Sequence, residues 1–134
     1  EVRPAQIEVA KLLYGIHGIE RADIEGRNRV NRRNVMAFDA PVMGFVFVHK
    51  DMLPWSAMDA GLMLQTLFLS AKSRGIDSCP VGILATWREP VEAEFEIPEG
   101  YQFITGFALG YADPEAPINA MQAPRPPIQL LEGK

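Results

Sequence analysis

Few residues of this chain invite a chemical reading. Cys79 is the single cysteine and the side chain with the most nucleophilic potential. Pro80 follows it directly and no base can be assigned nearby, so a packed small hydrophobe is the favoured reading. His17 lies in a glycine-flanked turn and His49 at the end of an apolar run. Neither has a cysteine or carboxylate at metal-ligand spacing, so ordinary surface or edge positions are expected for both. No phosphate-binding loop and no nucleophile elbow is present. Gly15-Ile16-His17-Gly18 is not a dinucleotide fingerprint, because no strand precedes it and the third glycine is missing. Hydrolytic, zinc and dinucleotide-loop chemistry therefore drop out. What remains is backbone chemistry in Cys79-Pro80-Val81-Gly82. Pro80 removes one amide proton and Gly82 lets the chain turn, so neighbouring amides can aim at a flat ligand. A bulge that merely bends the strand is the equal alternative on these residues alone.

The elements that would hold this segment read as follows. Residues 5–16 place Ile7, Val9, Leu12, Leu13 and Ile16 at helical spacing just after Pro4, with Gly15 and Gly18 as breakers. A second, mostly polar helix is expected from about Arg21 to Val35, ended by Asp39-Ala40-Pro41. Val42 to His49 is β-branched, aromatic and continuous, the pattern of a strand covered on both faces. Ser56 suits an N-cap and Asp59 a first-turn carboxylate for a long helix over Ala57–Lys72. That helix is apolar in nearly every direction, so part of it is expected to pack on a partner subunit. Gly75 closes it. A short strand interrupted by Pro80 and Gly82 covers Ile76 to Leu84, a short helix Arg88 to Phe95, and a second central strand Tyr101 to Tyr111. Gly106 and Gly110 inside that strand mark close approach of another backbone or a ligand. The order predicts an α+β domain over residues 1–134, with a small mixed or antiparallel sheet, helices over it, a long buried central helix, and an extended proline-rich tail over residues 112–134.

Composition bounds the partners. The 134 residues are 48% hydrophobic and 22% charged, an ordinary globular mixture. A net charge of −4 gives no reason to expect nucleic acid or an anionic membrane surface. Arg27, Arg29, Arg32 and Arg33 cluster, but Glu20, Asp23 and Glu25 dilute them into a solvated helix face. The lone cysteine excludes an internal disulfide and fits a reducing cytoplasm. No apolar run is long enough to span a bilayer, and no membrane partner is expected. The chain opens without an initiator methionine, as a fragment or processed product would.

Five blocks, taken together, resemble a known family. They are Phe38-Asp39-Ala40-Pro41-Val42; Asp59-Ala60-Gly61-Leu62-Met63-Leu64-Gln65; Gly75 to Gly82; Phe107-Ala108-Leu109-Gly110-Tyr111-Ala112-Asp113-Pro114; and Arg125-Pro126-Pro127-Ile128. In this order and spacing they are similar to the C-terminal part of the FMN-dependent nitroreductase family. Tyr14-Gly15-Ile16, Arg21-Ala22-Asp23 and Asn34 are similar to the helical segment of members acting on aromatic substrates. The resemblance covers essentially the whole chain, while the family's N-terminal flavin-phosphate segment has no counterpart in it. It implies a homodimer with FMN at the subunit interface. It also implies an NAD(P)H oxidoreductase, using NADH or NADPH, that passes hydride through flavin N5 to a nitroaromatic, quinone or similar small acceptor. No side chain is implied as acid or base. Carried over by position, Cys79, Pro80, Val81, Gly82 and Ile83 line the isoalloxazine, with the amide of Gly82 or Ile83 donating to N5. Arg125 matches the C-terminal arginine that reaches the FMN phosphate. The rival expectation is a cofactor-less dimeric scaffold, or a flavin-binding module that has lost catalysis with its N-terminal segment.

Overall fold

Strand β1 spans Val42–His49, as its unbroken apolar run predicts. In this computed structural model, residues 2–125 and 130 are described, with side chains from Gln6 onward. The chain separates into two compact units, residues 1–27 with 113–134 and residues 28–112.

The larger unit is built on three antiparallel strands in the order β1-β3-β2. Strand β2 is Asp77–Val81 and β3 is Tyr101–Gly110. Strand β3 lies in the centre and pairs Val42 with Leu109 and His49 with Tyr101 on one side, and Asp77 with Gly110 and Val81 with Gly106 on the other. Val46 pairs with Thr105 and Phe47 with Phe103, so Ile104 is an extra residue and β3 carries a bulge there.

Both faces of the sheet are covered. Successive side chains of a strand point to opposite faces, and the two cores follow that rule. Val46 and Val48 meet Ala60 and Leu64 of helix α3, with Phe107, Ile104 and Phe68 beside them. Phe45, Phe47 and Met43 point the other way, onto the cluster of Ala37, Val81, Leu84, Val91, Phe103 and Ala108. Phe45, Phe47, Phe95 and Phe103 form ring pairs there with centroids 5.1–6.1 Å apart, Phe47 and Phe95 edge-on and the others tilted. Phe103 and Val81 are almost wholly buried. The expected coverage of β1 on both faces is thus supplied by its own chain.

Helix α3 runs Trp55–Lys72. It begins earlier than the sequence suggests: Pro54, not Ser56, occupies the cap position, and no carboxylate falls in the first turn. Proline presets its own φ near the helical value and so opens the helix without a side-chain cap. At the other end Gly75 has φ +75°, and the amides of Gly75 and Ile76 donate to the carbonyls of Lys72 and Ala71 at 3.0 Å each. This is the left-handed glycine closure expected there. Ala60, Leu64 and Ala71 are buried, but Trp55, Met58, Leu62 and Leu69, each over half exposed, are left bare along the outer side. A helix apolar all round is therefore half satisfied within the chain.

Short turns complete the second face. Gly82–Ala85 is a 3-10 turn and α4 is Arg88–Glu94. A further turn, Ala37–Asp39, has left-handed backbone at three successive non-glycine residues, with φ of 51°, 56° and 64°. Left-handed backbone costs an L-residue roughly 1–2 kcal/mol, so contacts around the turn must offset that strain.

Three strand glycines are closely approached from inside the protein. A Cβ on Gly44 would strike the ring of Phe107, its cross-strand partner, and one on Gly106 would come 2.7 Å from Leu84 Cδ1. A Cβ on Gly110 would meet Pro41 Cδ at 2.9 Å. The approach expected at Gly106 and Gly110 is real: side chains make the nearest contacts, and at Gly106 the backbone carbonyl oxygen of Gly44 also comes within 3.3 Å.

In the smaller unit α1 spans Val2–Ile16. Gly15 lies inside α1, and Gly18, at φ +63°, ends it by the same motif as Gly75. The amides of Gly18 and Ile19 donate to Gly15 and Tyr14 at 3.0 and 2.8 Å. Helix α2 is Ile24–Val35, and the unit boundary falls within it. It starts at Ile24 and not near Arg21, because the Asp23 carboxylate caps it by accepting from the Gly26 amide at 2.7 Å. The 3-10 turn Pro117–Ala120 packs against α1, and a turn at residues 114–115 precedes it, closed by the Ala116 amide donating to Asp113 at 3.2 Å, so the described proline-rich segment is extended but for these two local turns.

Candidate functional site

Strand β2 carries the segment singled out by sequence, and it is the sheet's outer strand. Only one of its edges is paired, which is where a proline is tolerated, because its missing amide proton need not serve a ladder on the open side. Cys79 and Pro80 are exposed, whereas Val81 is buried to 1% exposure. Val81 pins the end of the strand into the core with Leu84 and Phe103. Ile83 packs against the same cluster.

At Gly82 the chain leaves the strand and enters the 3-10 turn. Val81 precedes the turn with φ −113° and ψ 68° and gives it no side-chain cap. The first amides of such a turn have no acceptor within it. Nothing lies within 4 Å of where a Gly82 Cβ would stand, so a planar group can approach that backbone. The later amides are used: those of Thr86 and Trp87 donate to Ile83 and Leu84 at 3.0 Å each. The turn is thus anchored at its far end and open at its start. Pairing of β2 with β3 runs unshifted from Asp77 to Val81, so the segment carries no bulge, and the chain turns only at Gly82.

Cys79 is poorly suited to thiolate chemistry here. Desolvation by surrounding protein pushes its thiol pKa up from the ordinary value, which favours the neutral form. Its Sγ lies 3.6 Å from the Pro80 carbonyl oxygen. His49 has an ordinary structural role: its ring stands edge-on to Tyr101 at 5.3 Å, and its Nδ1 accepts from the Asp51 amide at 3.4 Å. His17 is exposed. Among the described residues no group of His, Cys, Asp or Glu is placed to hold a metal ion. No helix among them is long and apolar enough to cross a membrane.

Asp77 is a positioning residue that the sequence reading missed. Its carboxylate accepts from Lys72 Nζ at 2.6 Å and from the Ala112 amide at 2.9 Å. It ties the end of α3 and the exit of β3 to the start of β2. The hydrogen bond from Lys72, then that from Ala112, holds its pKa below the usual carboxylate value. The five-residue spacing of Lys72 and Asp77 across Gly75 was the available signal.

Arg125 stands apart from these residues in the division of the chain. It belongs to the smaller unit, lies in irregular structure and is exposed. The last three residues of its sequence block, Pro126-Pro127-Ile128, lie outside the described residues.

A sequence profile of the nitroreductase family matches residues 3–111. The chain belongs to the nitroreductase family. The matched stretch contains Cys79 to Ile83 and ends before Arg125. A 4-nitrobenzoate reductase of Pseudomonas putida is 36% identical over 124 residues, which are 92% of this chain and 54% of the relative. The solved structure of the FMN and NADPH-dependent nitroreductase NfnB from Sphigopyxis sp. strain HMH superposes with a TM-score of 0.90 at 32% identity, covering 98% of this chain and 60% of that one. The FMN-dependent NfnB from Mycobacterium smegmatis, solved in complex with NADPH, gives a TM-score of 0.85 at 28% identity, covering 93% and 56%. This member of the nitroreductase family therefore spans about half the length of the curated relatives it matches. Its α+β architecture is that of the family, as the sequence blocks imply.

Proposed function

We propose that this chain is the flavin-cradling part of an FMN-dependent NAD(P)H oxidoreductase whose acceptor is a nitroaromatic, quinone or similar small molecule. The observation that carries the reading is the open start of the Gly82–Ala85 turn at the end of an edge strand. Bound FMN supplies the hydride chemistry between nicotinamide and acceptor. This chain's contribution is orientation. Val81 fixes the strand end in the core, and the Gly82 or Ile83 amide donates to N5. Cys79, Pro80 and Ile83 complete the wall against the isoalloxazine, and the Arg125 guanidinium holds the phosphate. Gly82 fits this role because a side chain there would stand in the open approach.

The same reading includes a homodimer. Trp55, Met58, Leu62 and Leu69 recur at helical spacing along α3 and are each over half exposed. A monomer gains nothing from such a stripe, and a two-fold copy of it is self-complementary. A cytoplasmic setting, in keeping with the single free cysteine, belongs to the reading as well. The relatives named for nitrobenzoate and for NADPH support a nitroaromatic acceptor and NADPH as donor.

The test is FMN uptake by the purified protein, followed by anaerobic addition of NADPH. The reading expects the flavin absorbance bands to co-elute with the dimer and to bleach on adding NADPH. A dimer that takes up no FMN would favour the scaffold reading instead.

A further inference from the structure

We infer that Phe38 is a specificity-determining residue whose ring forms an aromatic wall for the acceptor. This inference rests on the flavoenzyme reading and adds the acceptor's contact to it. Phe38 sits in the middle of the left-handed turn Ala37–Asp39, at φ 56° and ψ 30°. Its neighbours hold the turn from both sides. Ala37 is buried in the core cluster, and the Asp39 carboxylate pairs with Arg33 Nη2 at 3.2 Å. The Asp39 and Ala40 amides donate to the carbonyls of Met36 and Ala37 at 3.0 Å each. The strained backbone is thus fixed in place, yet the residue as a whole is left 38% exposed.

A phenylalanine held in strained backbone and not buried is hard to explain by packing alone. Its position supplies a reason. Ala37 belongs to the same buried cluster as Val81 and Leu84, and Ile83 packs against that cluster. The turn therefore sits on the same side of the sheet as the Gly82–Ala85 segment and the buried end of β2. An exposed ring there offers an electron-rich face, and a nitro-substituted ring is electron-poor. Offset stacking between the two is favourable beyond the area buried. Non-aromatic acceptors gain nothing from it, which makes the residue a selector for aromatic ones.

The experiment uses the full chain loaded with FMN, without NADPH, and measures the Kd of 4-nitrobenzoate by calorimetry. FMN affinity and Tm are recorded for each variant. Phe38→Leu should weaken 4-nitrobenzoate roughly fivefold, the ratio that stacking supplies, and Phe38→Tyr should restore it to within about twofold. Phe38→Gly separates ring from backbone, because glycine is at ease at this φ. It should hold or raise Tm and still weaken 4-nitrobenzoate by at least as much as leucine does. Unchanged Kd in both Phe38→Leu and Phe38→Gly, in protein that takes up FMN normally, overturns this inference and leaves the flavoenzyme reading standing. Wild-type protein that takes up no FMN overturns both.

Discussion

Replacing Gly44 by alanine probes the packing that holds the central pair of strands in register. An added Cβ would stand 2.5 and 2.7 Å from Cε1 and Cε2 of Phe107, and closer still to Cζ. Restoring ordinary contact requires the ring to move by about 1.5 Å. It has little room, since it meets Phe68 edge-on at 5.9 Å and packs against the cluster of Val46, Val48, Ala60 and Leu64. Overpacking of this kind costs about 1–3 kcal/mol. Gly→Ala within a strand returns roughly 0.5–1 kcal/mol of backbone entropy. The net expectation is destabilisation by about 1–2 kcal/mol. Urea denaturation at fixed protein concentration measures it. In a Phe107→Ala background the clash is gone, and Gly44→Ala should become stabilising by several tenths of a kcal/mol. A neutral Gly44→Ala, or the same cost in both backgrounds, would refute the reasoning.

Further outcomes follow from the same contacts. The Asp77 carboxylate has a depressed pKa in the folded protein, so its contribution is complete above the ordinary carboxylate range and is lost as pH falls through the depressed value. Asp77→Asn should lower Tm at neutral pH, more at low salt than at high, and the gap from wild type should close on acidification; a gap that widens in acid would contradict the tie to Lys72. Leu62→Glu puts a charge in the exposed stripe of α3 and should yield monomer in sedimentation at micromolar protein, whereas an unchanged dimer would place the interface elsewhere. Arg125→Ala should weaken FMN roughly tenfold or more while sparing riboflavin, which lacks the phosphate; equal loss for both would return Arg125 to the role of an exposed tail residue.

Much of the fold could be read from local signals. Pro41 stands directly before β1, Gly75 stops α3, and the β-branched and aromatic residues of β3 mark a buried strand. The misses are of another kind. Asp23 and Gly26 form a cap at standard spacing, so the later start of α2 was legible in principle. The left-handed turn at Ala37–Asp39 was not, because no glycine or asparagine announces it and tertiary contacts impose it. The bulge at Ile104 and the fit of Phe107 over Gly44 depend on which strands pair, which no local pattern states. The site divides in the same way. Pro80 and Gly82, one residue apart, pointed to a change of chain direction, and the strand does end in a turn at Gly82. Asp77 as a clamp needed the Ala112 amide, 35 residues away in sequence, to be visible.

The central claim is that backbone, not side chain, at the end of β2 serves the flavin. Rates of flavin reduction by NADPH in Gly82→Pro, Ile83→Pro and Cys79→Ser, each folded and FMN-loaded, test it most directly. Each proline removes one amide donor and fixes one φ, whereas Cys79→Ser leaves the backbone untouched. The account predicts that one proline variant stays folded and loses reduction by about 100-fold, as removal of a positioned donor does elsewhere, with Cys79→Ser close to wild type. Loss of reduction in Cys79→Ser, with both proline variants active, would contradict it.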